Sequence, residues 1–209
     1  MKPQPIENVI FDVGNVIVRW SPPEIARLAF GEEKFCESLV RSIFKSQTWM
    51  DLNIGVITET EAKEQYQLNL GLSELECQRL FYYVKQTQIL LFGTVDLIKR
   101  VKAAGYGVYA LTDNVREVVD YLKTTYDFWS LFDGATISAQ VGCLKPQPAI
   151  YHALLAQNGL RAESTVFIDD MPNNVRGAQA VGISAIQFVS LLRDPDGINT
   201  NRLCRTLIV

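Results

Sequence analysis

The sequence has a single histidine, His152, and four cysteines, no two of them close together. One histidine excludes any site that needs two imidazoles. Cys36, Cys77, Cys143 and Cys204 form no C-x-x-C pair, which argues against a zinc site or a disulfide framework. They read as four free thiols in a reducing compartment. A serine–histidine–acid triad would have to be built on His152, and no G-x-S-x-G elbow accompanies it. No apolar run reaches the roughly 18 residues of a transmembrane helix, so no membrane partner is expected. The opening MKPQPIENVIFDVG lacks the basic and long apolar regions of a signal peptide, and the expected location is the cytoplasm. Nor is there an excess of positive charge. A net charge of −3 argues against nucleic-acid binding, which needs a basic footprint.

What is present is an ordinary apolar complement. Hydrophobic residues make up 48% of 209 positions, enough for a sizeable core in one domain, or in one domain with a modest insertion. Three segments share a grammar, a short apolar run that stops at a small or acidic polar cluster. They are NVIFDVGN from Asn8, YGVYALTDN from Tyr106 and STVFIDDMPNN from Ser164. Short runs rich in Val, Ile, Phe and Tyr suit buried parallel strands. GATIS from Gly134 and ISAIQFV from Ile183 are weaker strand signals. Helical patterns separate the strands: VDLIKRVKAAG stopping at Gly105, REVVDYLKTTY, QPAIYHALLAQNG between Pro148 and Gly159, and NNVRGAQAVG closing at Gly182. Strands alternating with helices predict an α/β fold, a doubly wound parallel sheet with helices on both faces.

The stretch from Ser21 to Gln88 differs. PEIARLAF, EKFCESLVRSIF, TETEAKEQYQLNL and SELECQRLFYYV read as four helices with no strand between them. Thr58 with Glu61 and Ser73 with Glu76 fit the capping box. The expected domains are an α/β core of residues 1–18 and 90–209 and a helical insertion of residues 19–89, with the last fifteen residues as a loose tail.

In a doubly wound sheet, ligands bind beyond the carboxyl ends of the strands, where strand order reverses. Three strand ends present Asp12, Thr112 and the pair Asp169–Asp170. Acids placed directly after apolar strands are costly to bury unless paired or bound to a metal. With Lys145 they describe a carboxylate nucleophile, a hydroxyl, an ammonium and a metal-binding acid pair. Each also has a plainer reading: Asp12 as a turn residue or helix cap, Thr112 and Asp169–Asp170 as helix caps, and Lys145 as a solvated lysine. Trp20 and Trp49 are candidates to line the cleft between insertion and core, with simple packing the plainer expectation.

FDVGN, LTDN, LKPQPAIY and FIDDMPNN resemble, in order and spacing, the four motifs of the haloacid-dehalogenase superfamily, over nearly the whole chain. The helical insertion stands where that family's type-one cap stands. FDVGNVIV and CLKPQPAIY resemble the sugar-1-phosphate phosphatase-like branch more closely. The resemblance implies a Mg²⁺-dependent phosphatase in which Asp12 attacks phosphorus and forms an aspartyl-phosphate. It implies Mg²⁺ held by Asp12, the carbonyl of Gly14 and Asp170, with Asp169 beside it or joined through water. Thr112, Lys145 and the N–H groups of Val13 and Asp113 would bind phosphate, Lys145 also neutralising the transition state. The substrate would be a small phosphorylated metabolite, and the protein a monomer or homodimer.

One position departs from the family pattern. Most phosphatases of the superfamily carry a second aspartate two residues after the nucleophile, as general acid and base, and here that position is Gly14. Three consequences stay open, in this order. The leaving group is good, as in a sugar-1-phosphate; or Asn15, Asp113 or water replaces the acid; or the protein is a weak catalyst or only a phosphate-binding module. A dehalogenase using Asp12 on carbon tolerates Gly14 but has no need of Asp169–Asp170. A mutase would need the missing aspartate.

Overall fold

The computed structural model describes residues 5–189. The expected tail and Cys204 lie outside them. Each of the five apolar runs forms a strand: β1 (Asn8–Phe11), β2 (Gly107–Thr112), β3 (Gly134–Ile137), β4 (Thr165–Asp169) and β5 (Ser184–Gln187). They lie side by side in the order β3-β2-β1-β4-β5, all parallel. β1 is central, and Phe11 stands level with Ala110 on one side and Ile168 on the other.

Successive side chains of a strand point to opposite faces, so each strand feeds two cores. Val9 and Phe11 join Val108, Ala110, Val166 and Ile168 on one face. There they pack on Leu97, Ile98 and Val101 of α6 (Thr94–Ala103) and Val118 and Leu122 of α7 (Arg116–Thr125). Ile10, Leu111 and Phe167 point the other way, onto Ile150, Tyr151 and Leu154 of α9 (Pro148–Asn158) and Ala178 of α10 (Pro172–Ala180). The fold is the expected doubly wound α/β sheet. Pro148 opens α9 and left-handed Gly159 closes it, as the sequence signals predict. A short helix, α8 (Ser138–Val141), follows β3.

Between β1 and α6 the chain forms five helices, where the sequence predicts four: α1 (Pro22–Phe30), α2 (Glu37–Phe44), α3 (Gln47–Asn53), α4 (Glu59–Leu70) and α5 (Glu74–Gln86). EKFCESLVRSIF becomes helical only from Glu37, and α3 is additional. Ser46 starts α3 by accepting a bond from the Trp49 N–H at 3.0 Å, a one-residue signal that periodicity does not register. Both capping boxes close: Thr58 N–H donates to Glu61 Oε2 at 2.7 Å, and Ser73 N–H to Glu76 Oε2 at 2.8 Å. Such caps contribute about 1 kcal/mol each.

The chain leaves and re-enters the sheet layer at one place. Arg19 N–H donates to the Ile89 carbonyl and Leu91 N–H to the Ile17 carbonyl, both at 2.8 Å, with Val18 and Leu90 forming an antiparallel bridge. The helical insertion also touches the sheet layer elsewhere. Ser138 Oγ, fully buried, donates to the Asn53 carbonyl at 2.7 Å and accepts from the Asn114 N–H at 2.9 Å. Gly55, at φ 72°, lies so close that a Cβ there would stand 2.2 Å from the Ala139 carbonyl oxygen. The left-handed backbone and the close approach are two separate reasons for glycine there.

Candidate active site

Strand order reverses at β1, whose neighbours β2 and β4 continue the sheet in opposite directions. The carboxyl ends of these three strands hold Asp12, Thr112 and Asp169. β1 continues one residue further, Asp12 N–H donating to the Ile168 carbonyl at 2.9 Å. The backbone then turns tightly, with the Ile17 and Val18 N–H groups both returning to the Val13 carbonyl. Asn15 sits in that turn at φ 54°, a left-handed conformation that asparagine tolerates better than most residues.

Lys145 is buried, not solvated. Its Nζ lies 2.7 Å from Asp12 Oδ1 and 2.8 Å from Asp169 Oδ2, and also donates to the Leu111 carbonyl at 3.3 Å. Asp12 Oδ1 additionally accepts from the Val13 N–H at 2.7 Å. The Val13 N–H, a sequence candidate for phosphate binding, is thus committed to the carboxylate in this state. Asp12 Oδ2 accepts no hydrogen bond among the described residues. Asp169, wholly buried, is fixed from three sides, by Lys145, the Met171 N–H and Asn174 Nδ2, the last at 3.1 Å from both oxygens. Asn174, in the first turn of α10, thus orients the acid. Asp113 Oδ1 accepts from the Lys145 N–H at 3.1 Å. Thr112 is buried at the end of β2; the N-cap of α7 is Val115, so Thr112 does not cap that helix. Its hydroxyl makes no hydrogen bond among the described residues.

The electrostatics follow from crowding. Asp12, Asp113, Asp169 and Asp170 surround one ammonium, Lys145. Burial pushes the Asp12 carboxyl well up; Lys145 opposes this, while Asp169 and Asp170 add to it. Asp113 and Asp170 are raised for the same first reason, burial, with a hydrogen bond from Asn15 partly holding Asp170 down. Burial alone would lower Lys145, but Asp12 and Asp169 outweigh it and keep it protonated. The uncompensated charge is negative. One carboxylate oxygen from each of Asp12, Asp169 and Asp170 lies within 4.8 Å of the others, an all-oxygen donor set that fits a hard divalent cation such as Mg²⁺. The Gly14 carbonyl, the further sequence candidate, belongs to the same turn.

A family model, that of the haloacid dehalogenase-like hydrolases, matches residues 6–182. The chain belongs to this family. As a haloacid dehalogenase-like hydrolase it is an enzyme of the hydrolase class. It is 29% identical over 186 residues to the sesquiterpene phosphatase astK of Aspergillus oryzae, covering 88% of this chain and 90% of that protein. It is 24% identical over 148 residues to the phosphoglycolate phosphatase of Haemophilus influenzae, covering 69% of this chain and 62% of that one. Among solved structures, it resembles a haloacid-dehalogenase family enzyme of Bacteroides thetaiotaomicron in complex with magnesium and inorganic phosphate. The TM-score is 0.76 at 20% identity, covering 88% of this chain and 95% of that one. At that identity the likeness is one of fold.

Trp20 and Trp49, for which packing is the plainer expectation, stack on each other (ring centroids 5.8 Å apart, planes at 17°) with Phe44 edge-on to both. All three line a cavity of about 450 Å³. Asn15 joins this cavity to the acids: its Oδ1 accepts from the Trp20 N–H at 2.9 Å while its side chain also bonds Asp170. His152 is exposed on α9. No helix among the described residues is long and apolar enough to cross a membrane.

Proposed function

We propose that this hydrolase is a Mg²⁺-dependent phosphatase of a small phosphorylated metabolite, working through an aspartyl-phosphate on Asp12. The observation that carries the reading is the pairing of Asp12 with buried Lys145 at the strand switch point, beside an acid pair that one lysine cannot neutralise. The phosphatase relative from Aspergillus oryzae supports the reaction class.

Asp12 Oδ2, free of hydrogen bonds, attacks phosphorus in line while Oδ1 stays held by Lys145 and the Val13 N–H. The P–O bond to the leaving group breaks, and water then cleaves the acyl phosphate and restores Asp12. Lys145 stabilises the charge that builds on the equatorial oxygens, and the Thr112 hydroxyl and the Asp113 N–H bind those oxygens. Asp12, Asp170 and the Gly14 carbonyl would hold Mg²⁺, with Asp169 beside it, and the ion would screen the nucleophile from the phosphate's charge. Residues 19–89 act as a type-one cap that closes over the site and excludes water.

Gly14 supplies no proton, and a leaving group that departs with little protonation fits that gap. The anomeric oxygen of a sugar-1-phosphate needs less protonation than an ordinary alcohol oxygen, and sugar phosphates are the substrate class first expected from the motifs. Haloacid-type dehalogenation is the lesser reading, because carbon chemistry at Asp12 gives Asp170 no task. Phosphate release measured with Mg²⁺ and with chelator, for the native protein and Asp12→Asn, tests the proposal. Release that vanishes with chelator and in the variant is expected; release that survives in Asp12→Asn refutes it.

A further inference from the structure

Resting on the phosphatase reading, we infer that the leaving group is itself an anion with an apolar body: the substrate is the diphosphate of an apolar alcohol, and the insertion holds the apolar part. Four observations converge. First, the cavity of about 450 Å³ falls within the roughly 300–1,000 Å³ of small-molecule sites. Its walls are aromatic and prolyl, among them Trp20, Pro22, Phe44 and Trp49, which suit a hydrocarbon and offer a sugar few partners. Second, three cations stand among the lining residues against one acid, Glu37. Arg27 is occupied by Glu32 at 3.0 Å and by the Phe35 ring at 4.2 Å. Arg41 and Lys45, both exposed, pair with no carboxylate among the described residues. They leave the cavity lining with more positive than negative side chains, which an anionic group on the substrate would complement.

Third, the cavity wall touches the catalytic turn. Trp20 Cβ is 3.8 Å from where a Cβ on Gly14 would stand, and Trp20 N–H is bonded to Asn15. Fourth, Gly14 is not forced. Its φ lies outside the left-handed region and a Cβ there meets only that ordinary contact, so the backbone admits the proton donor that the chain lacks. A diphosphate has no use for one. Asp12 Oδ2 bonds to the terminal phosphorus and the bridging P–O bond breaks. Its electron pair stays on the bridging oxygen of the departing monoester, whose second pKa is about 6, so the monoester leaves unprotonated. Water then releases inorganic phosphate from Asp12 and gives up its proton.

The test compares geranyl and farnesyl diphosphate with their monophosphates, glucose 1-phosphate and p-nitrophenyl phosphate, under saturating Mg²⁺, with products read by phosphorus NMR. The expected result is preference for the diphosphates, yielding inorganic phosphate and monoester. Val40→Trp, which fills the cavity, and the double variant Arg41→Ala/Lys45→Ala should each raise KM for the diphosphates about tenfold, a larger rise than either causes for p-nitrophenyl phosphate. Diphosphate binding should also quench tryptophan fluorescence in the native protein and not in Val40→Trp beyond the new residue's own signal. Preference for glucose 1-phosphate, or diphosphate KM values unmoved by both variants, overturns the inference while Mg²⁺-dependent p-nitrophenyl phosphate turnover leaves the phosphatase reading standing. No turnover of any substrate overturns both.

Discussion

Replacing Gly14 by aspartate asks the structure to accept the proton donor it lacks. The backbone and the space admit it: the new Cβ would lie 3.8 Å from Trp20 Cβ, an ordinary contact. The charge is less welcome. A fifth carboxylate would join Asp12, Asp113, Asp169 and Asp170 around Lys145, already too few cations for its neighbours. Crowding of that kind raises a carboxyl pKa, which is the direction a general acid needs. A positioned proton donor contributes roughly 10²–10⁴ in rate, about 2.7–5.4 kcal/mol, when the leaving oxygen is basic, and close to nothing when it is not. Rates are therefore to be measured across aryl and alkyl phosphates of rising leaving-group pKa at saturating Mg²⁺. The native protein should slow steeply along the series. Gly14→Asp should flatten the slope, gaining about a hundredfold on alkyl esters and leaving nitrophenyl esters within a factor of a few. A variant that shifts every substrate by the same factor, or leaves the slope unchanged, refutes the idea that this position governs protonation.

Lys145→Met leaves Asp12 and Asp169 buried without their cation; loss of phosphate release and destabilisation by about 3–5 kcal/mol are expected in chemical denaturation. Mg²⁺ at a hundredfold excess over its dissociation constant should raise stability by about 2.7 kcal/mol, seen as a higher Tm that Asp170→Asn abolishes; an equal rise in the variant would place the ion elsewhere. Gly55→Ala combines a left-handed backbone with a Cβ 2.2 Å from the Ala139 oxygen. It should cost about 1–3 kcal/mol, loosen the contact with α8 and raise KM, and a neutral result would show that this contact is dispensable. Ser73→Ala should cost about 1 kcal/mol by loss of the α5 capping box, measured by thermal unfolding with activity at permissive temperature unchanged.

The strands and the residues at their ends were readable because a buried parallel strand is a continuous apolar run, so Asp12, Thr112 and Asp169 stand out where polarity returns. Lys145 could be identified only through resemblance: a lysine before proline carries no local sign that it will be buried between two acids. The insertion reads as helical in the sequence, but α3 does not show there, because seven residues, four of them polar, give too short a period. Trp20 and Trp49 suggest a cleft wall, but Phe44 beside them, the Ser138–Asn53 bond and the dual role of Asn15 do not show in the sequence, since each joins residues whose meeting depends on how the chain packs. Asn53 and Ser138 are 85 positions apart, and no pattern within either segment names the other.

The antiparallel bridge at Val18 and Leu90 makes the whole helical segment a bulge whose two feet share one doorstep. A segment so rooted is indifferent to its own length as far as the sheet is concerned, because loop closure grows only with the logarithm of the residues enclosed. Helices can be added, lost or traded between those feet while Asp12 and Asp169 keep their places. If residues 19–89 are the cap proposed above, the turn after β1 and the choice of substrate can change on separate clocks, and a transplant of residues 19–89 from a relative should carry its substrate preference with it.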